Sequence, residues 1–371
     1  MGKIKIGLIA LFSIALVGLV VAGMVVANSP LKINNDEEDK EEYVSDEIIV
    51  KFKGDKEPFR VLKIPAGKVK EKVKEYKKRA DVIYAEPNHI AYAQWVPNDP
   101  YYKYQWHFDN PVYGGIQMEE AWQSLGAPGT PGIGVTVAIV DTGIRRGSDL
   151  AATCFVSGWD FANNDNDPVD DNGHGTHVAG TVAQSTNNSL GVAGVAFKSC
   201  LMPVKVLDRT GAGTYANVAL GIRYAADNGA KVINLSLGGS SDSQTLKDAI
   251  AYAYSKGVTI VAACGNENKP SCLYPAGYDD YVIAVGATRY DETKAYYSNY
   301  GTSLDLVAPG GDLTVDQNND GYADGILQQT FRMVGKRIIW GYYFFQGTSM
   351  ATPHVSGVAA LLLAKGNATT P

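Results

Sequence analysis

The chain has 371 residues, enough for one or two domains and a sizeable core. It is 45% apolar with 40 glycines, an ordinary globular composition. A net charge of -6 excludes a general basic footprint for nucleic acid, so no nucleic-acid partner is expected. At the chain start Lys3 and Lys5 precede an apolar run, 6–26, followed by Ala27-Asn28. A short basic region, an apolar stretch and small residues at a cleavage point read as an export signal over 1–27. An uncleaved membrane anchor is the alternative, because the run is long enough to span a bilayer. Residues 34–42 are acidic and of low complexity, the composition of a disordered linker.

A lysine-rich segment follows. The patterns predict a strand over 46–53, a helix over 68–79 with Val69, Val73 and Tyr76 at helical spacing, a strand over 81–87 and an extended tail over 90–93. This is a small α+β domain. From Trp95 apolar strand-like runs alternate with helical ones. Strands are expected at 135–140, 155–161, 201–207, 231–237, 259–263, 281–285 and 305–307, and helices at 215–228, 246–256 and 348–364. Near-continuous apolar strands separated by helices imply an α/β, three-layer fold: a mostly parallel seven-stranded sheet with helices on both faces, over 94–371. Catalytic groups then belong at the carboxyl ends of the strands. Four cysteines in an exported chain can pair. Cys154 and Cys200 each open an apolar run and Cys264 and Cys272 flank a loop, so the pairs Cys154–Cys200 and Cys264–Cys272 are expected, with free buried thiols as the alternative.

Three segments carry candidate chemistry. Ala138-Ile-Val-Asp141-Thr-Gly143 ends a buried strand on a carboxylate, which needs a partner there. Alone it is as readily a turn-forming Asp. Asn172-Gly-His174-Gly-Thr-His177 places His174 at the start of a helix entered through glycines; no Glu stands beside either histidine as a zinc-protease motif requires. Gly347-Thr-Ser349-Met-Ala-Thr-Pro353-His354 sets Ser349 at the start of an apolar helix, with Pro353 in its first turn. Ser349 there could be a simple cap. A helix start also offers backbone N–H groups and a positive dipole end to an oxyanion.

Together these segments supply Asp, His and Ser in that chain order, and they resemble the three signature motifs of the subtilisin-like serine proteases, the subtilases. The resemblance covers roughly 99–366. It implies a subtilisin-like fold and a secreted serine endopeptidase in which Ser349 attacks the scissile carbonyl, His174 moves the proton and Asp141 holds the imidazole. Thr259-Ile-Val-Ala-Ala-Cys264-Gly265-Asn266 resembles the strand and loop bearing the oxyanion asparagine, Asn266, with the Ser349 N–H as second donor. Ser236-Leu237-Gly238-Gly239 resembles the segment that pairs with the substrate backbone. Ala262, Gly265 and 274–276 would line the primary pocket, which Leu273 would shorten. His177 and His354 match structural positions.

Acidic loops point to calcium. Asp160, Asp165 and Asp167 resemble a calcium loop of thermophilic relatives. Asp316, Asn318, Asp320 and Asp324 follow the first half of an EF-hand, without a Glu at its twelfth position, where Gln328 lies one place beyond. Asp149 with Asn188 is a third site by resemblance alone. Residues 43–93 resemble the subtilase propeptide, an inhibitor and chaperone of its own enzyme. The resemblance implies self-cleavage near Ala93–Gln94. Members of that family usually continue with a further helix, so the ending at Pro371 is expected to be a C-terminal truncation. A monomer acting on polypeptides is expected, touching a membrane only through an uncleaved N-terminal segment. An inactive surface binding protein of the same fold would need a broken triad. An esterase of the Gly-x-Ser-x-Gly type has the opposite order of catalytic groups.

Overall fold

A computed structural model describes residues 33–34, 43–91, 95–110, 112–113 and 115–367. The expected export signal, most of the acidic linker and the expected cleavage point at Ala93–Gln94 lie outside them. The chain divides into two compact units, Met1–Tyr92 and Ala93–Pro371.

In the first unit, strands β1 (Ile33–Asn34), β2 (Tyr43–Phe52), β3 (Arg60–Lys63) and β4 (Val82–His89) form an antiparallel sheet in which β2 pairs with the other three. Helix α1 (Val69–Lys77) buries Val69 and Val73 against Ile48, Val50, Val82 and Ala85. Its lysines face outward, as its spacing predicts. β3 was not expected: its residues are mostly exposed and give no alternating pattern.

The second unit opens with helix α2 (Met118–Ser124). Strands β5 (Thr136–Asp141), β6 (Cys154–Phe155), β7 (Trp159–Asp160), β8 (Cys200–Lys205), β9 (Val232–Leu235), β10 (Thr259–Ala263), β11 (Ile283–Thr288) and β12 (Leu306–Pro309) form one sheet in the order β12-β11-β10-β9-β5-β8-β6, and β7 also pairs with β8. Every pairing is parallel. The expected strand over 155–161 is broken into β6 and β7 around Gly158, whose missing side chain lets the chain cross the Pro203 carbonyl. Otherwise the seven expected positions are filled.

Both faces of the sheet are covered. Along β5, Val137 and Ile139 enter one core cluster, while Ala138 and Val140 enter the other. Helices α3 (His174–Ala183) and α6 (Thr348–Lys365) supply Val178, Val182, Met350 and Leu361 to the first cluster. Helices α4 (Tyr215–Asp227) and α5 (Gln244–Ser255) supply Val218, Ile222, Leu246 and Ile250 to the second. Thr214 and Ser243 cap α4 and α5 by accepting from Asn217 N and Leu246 N. Among the described residues no helix is long and apolar enough to cross a membrane.

Both disulfides form as expected, Cys154–Cys200 and Cys264–Cys272. The parallel register of β6 and β8 sets Cys154 directly opposite Cys200. A further element was not expected. Strands β13 (Ile326–Val334) and β14 (Arg337–Phe345) form an antiparallel hairpin of their own just before α6. Gln328 therefore lies in a buried strand and donates to the Ala193 carbonyl, away from any loop site.

Candidate active site

Asp141 ends β5, the strand from which the sheet order runs outward to β8 on one side and β9 on the other. Such a switch point opens a crevice at the carboxyl ends of the strands. Asp141 is fully buried, and its Oδ1 accepts from Thr142 N at 2.7 Å and from His174 Nδ1 at 2.8 Å. Burial disfavours the charged His174 ring. The charge and hydrogen bond of Asp141, with the charge of Asp170, outweigh it and hold the pKa above the ordinary value. Only 27% of the ring is exposed. This close meeting depends on Gly175: a Cβ there would lie 2.3 Å from the Gly143 carbonyl and 3.1 Å from Asp141 Oδ1.

The helix that carries His174 is anchored by a residue not singled out within the 160–171 acidic run. Asp170 is fully buried. Its Oδ1 accepts from Thr142 Oγ1, Asn172 N and Gly173 N, and its Oδ2 from Thr176 N and Thr176 Oγ1. It thus satisfies the free N–H groups at the start of α3. Asp171 instead pairs with the buried Lys205 at 2.8 Å.

Ser349 is the second residue of α6. Pro353 is the sixth, beyond the first turn where it was expected. The reason it is tolerated is local. Pro353 has no N–H for the carbonyl four residues back, which is that of Ser349. That carbonyl accepts from Ser236 Oγ at 2.8 Å instead, while Ser349 Oγ donates to the Ser236 carbonyl at 3.1 Å. Asn266, in the loop after β10, accepts through Oδ1 from Thr348 N at 2.8 Å and Thr348 Oγ1 at 3.0 Å. Its amide NH₂ is thereby oriented with both donors left over.

A cleft of about 520 Å³ runs past Ser349 and His174 and is lined by Ser236, Leu237 and Gly238, with Leu207, Tyr215 and Val218 on its apolar wall. Gly239 exchanges both backbone hydrogen bonds with Tyr274, at 2.9 Å each. Ala262 is wholly buried inside β10, and Gly265 donates to Thr348 Oγ1 and accepts from Asn299 N. Leu273 fills the space between the two walls: a Cβ on Gly238 would lie 2.9 Å from its Cβ, and one on Gly265 2.9 Å from its Cγ.

The acidic loops differ in how well they suit a cation. In the first, Asp160 accepts through both carboxylate oxygens from Asn163, and Asp165 Oδ1 accepts from Asp167 N. In the second, Asp316, Asn318 and Asp320 curl around the turn by accepting from Asp320 N, Gly321 N and Tyr322 N. Asp324 Oδ1 and Gln317 Oε1 are buried there without a partner among the described residues. Burial, then the charges of Asp316, Asp320 and Asp312, raise the Asp324 pKa. This loop suits a hard cation. At the third position Asn188 Nδ2 donates to Asp149 at 2.9 Å, and Asp99, missed in the sequence, accepts from the Asn187 and Asn188 N–H groups beside it. Burial, with the charge of Asp99 adding to it, pushes the Asp149 carboxyl up to about 6. Among the described residues, no three His, Cys, Asp or Glu side chains are gathered tightly enough to hold a metal on their own. Any cation would also need amide and carbonyl oxygens.

Comparison with known proteins decides the family. The model of the subtilase family matches residues 132–371, and that of the fervidolysin N-terminal prodomain matches 54–88. The chain belongs to the subtilase family. It is 41% identical over 313 residues to a thermophilic serine proteinase of Bacillus sp. (strain AK1), covering 84% of this chain and 70% of that protein. Thermitase of Thermoactinomyces vulgaris is 42% identical over 274 residues, 73% of this chain and 87% of that protein. A protease structure from Pseudoalteromonas arctica superposes with a TM-score of 0.65 at 38% identity, covering 74% of this subtilase and 89% of that chain. This subtilase is therefore a serine endopeptidase chain with a prodomain.

Proposed function

We propose that Asp141, His174 and Ser349 are the catalytic triad of a secreted endopeptidase, synthesised as a precursor that processes itself near Ala93–Gln94. The observation that carries the reading is the 2.8 Å bond between Asp141 Oδ1 and His174 Nδ1, with Ser349 lining the same cleft. With Nδ1–H donated to Asp141, Nε2 keeps its lone pair. Rotation of the Ser349 side chain away from the Ser236 carbonyl brings its hydroxyl to that lone pair. Oγ attacks the scissile carbonyl and His174 takes the proton. As the C–N bond breaks, His174 returns the proton to the leaving amine, and water then releases the acyl group by the same route. Asn266 Nδ2 and the Ser349 N–H stabilise the oxyanion. The prodomain acts as inhibitor and chaperone of the enzyme until it is cut.

The experiment is an active-site label. A fluorophosphonate should modify Ser349, and the labelled protein should lose cleavage of an unfolded protein substrate in proportion. A Ser349 that resists the label would favour an inactive binding module. Labelling with ester cleavage but no peptide cleavage would favour an esterase.

Calcium is the proposed cofactor. Asp316, Asn318, Asp320 and Asp324 would hold one ion, and Asp149 and Asn188 with Asp99 another; each would offset buried carboxylate repulsion. Because a ligand bound only by the folded state adds its binding energy to stability, excess chelator should lower the thermal midpoint by about 10 °C. A midpoint unmoved by chelator, read by scanning calorimetry, would rule out both sites.

A further inference from the structure

The β13–β14 hairpin has a base and an end of opposite character. At the base, Phe331 is buried, Thr330 Oγ1 donates to the Gly173 carbonyl and Arg145 lies 5.3 Å from the Phe331 ring. At the end the burial stops abruptly. Met333, Val334, Ile338, Ile339 and Trp340 are each between 37% and 59% exposed. The two-residue turn Gly335-Lys336 reaches into open space: Gly335 has φ +62°, and a Cβ there would meet nothing within 4 Å. Large apolar side chains gathered this way on a soluble surface mark an interaction site.

Register decides what kind. Directly paired residues share a face. Met333 pairs with Ile338 on one face, while Arg332–Ile339 and Val334–Arg337 pair on the other. The end therefore carries apolar side chains on both faces, Met333 and Ile338 on one, Val334 and Ile339 beside the two arginines on the other. A protein groove would cover one face and leave the second wet, whereas a lipid boundary surrounds an inserted tip on all sides. The charges agree. From Gly325 to Ser349 the charged residues are Arg332, Lys336 and Arg337, with no acidic residue, in a chain of net charge -6. Lys336 sits in the turn and Arg337 beside it, with Arg332 behind the Met333–Ile338 pair. Long cationic side chains interleaved with apolar ones can reach back to anionic headgroups while the apolar ones meet the acyl boundary. Trp340, paired with Phe331 behind them, also suits the interface.

We propose that the end of the β13–β14 hairpin docks the protein on an anionic lipid surface, with Val334, Met333, Ile338 and Ile339 entering the acyl boundary and Lys336 and Arg337 meeting the headgroups. This interaction uses no group of the triad and does not depend on proteolysis.

The test uses the full chain with a tryptophan reporter, Val334→Trp, and vesicles of brominated phosphatidylglycerol or brominated phosphatidylcholine. The expected result is quenching of the added fluorescence by the anionic vesicles and little by the neutral ones. Adding Lys336→Gln and Arg337→Gln should raise the lipid concentration at half-quenching by about 25-fold, each cation near an anionic surface contributing about fivefold. A tip that stays unquenched in anionic vesicles overturns the proposal, even if the chain itself sediments with them through its N-terminal apolar run. Equal quenching before and after the charge removal does the same. So does a tip without lipid contact whose charge removal slows cleavage of an acidic protein but not of a short peptide, because the partner is then a polypeptide.

Discussion

Replacing Ser349 with alanine is expected to lower kcat/KM on a peptide substrate about 10⁶-fold, the loss known when the nucleophile or base of a subtilisin-type triad is removed. The size follows from the proposed arrangement: if Asp141 orients His174 to serve one hydroxyl, removing the hydroxyl idles both. Ser349→Ala combined with His174→Ala should therefore be no slower than either alone, since the groups act as a unit. Residual turnover comes from Asn266 and cleft binding. Retention of more than about one hundredth of the wild-type rate would exclude Ser349 as nucleophile, because removing a single oxyanion donor alone costs that much. The same variant, expressed alone, should keep its prodomain. If it matures to the wild-type N-terminus, the precursor does not process itself.

The second large effect concerns acid. Three histidines lie buried around α6 and α3 and none is part of the proposed triad. His354 Nδ1 donates to the Met350 carbonyl at 2.8 Å, so its Nε2 accepts from His107 Nδ1, 2.7 Å away. The two bonds are compatible with both rings being neutral, and His107 Nε2 is without a partner among the described residues. His177 stacks on Phe345 and points Nε2 at the Ile326 and Tyr343 carbonyls. Burial drives their pKa values down: His107 well below the ordinary value, His354 to about 4 and His177 to about 3. Below pH 6.5 the unfolded chain takes up protons that the folded chain refuses. Stability is therefore complete above pH 6.5 and is lost as pH falls towards 4. At pH 5 each of His177 and His354 costs about 2 kcal/mol. Asp149 and His174, both with raised pKa values, take up protons in the folded state and offset part of this. The net loss from pH 7 to pH 5 is expected to be at least about 2 kcal/mol, a large fraction of a typical folding stability. Urea unfolding of the Ser349→Ala protein, which cannot digest itself, measures it. Equal stability at the two pH values would mean that the buried histidines are not held neutral.

Much of this was legible because it is written locally. A carboxylate ending an apolar strand, a histidine between glycines and a serine opening an apolar helix each announce a strand end or helix start, and the parallel architecture then brings those ends together. The cysteine pairing followed from strand openings in the same way. Other features depend on tertiary neighbours. Asp170 looks like any other member of its acidic run until Thr142 and Thr176 close around it. Pro353 is tolerable only because Ser236 supplies the donor that the proline lacks. Gly239 belongs to a motif, yet its backbone pairs with Tyr274. The hairpin was missed because its strands carry apolar side chains on both faces near the turn, which erases the alternation that reveals a strand, and because Gly335-Lys336 carries no Asn-Gly or Asp-Gly turn signal.

The position of α6 in the chain has a consequence for biosynthesis. Asp141 and His174 emerge from the ribosome early, and the strands that frame the cleft follow. Ser349 and the helix that presents it come after all of them. A nascent or prematurely released chain therefore holds an acid and a base with nothing to activate. Because domains form as their residues appear, the cutting edge is added to a scaffold already largely built. The order of synthesis would thus leave the proposed triad incomplete until the last part of the chain is made.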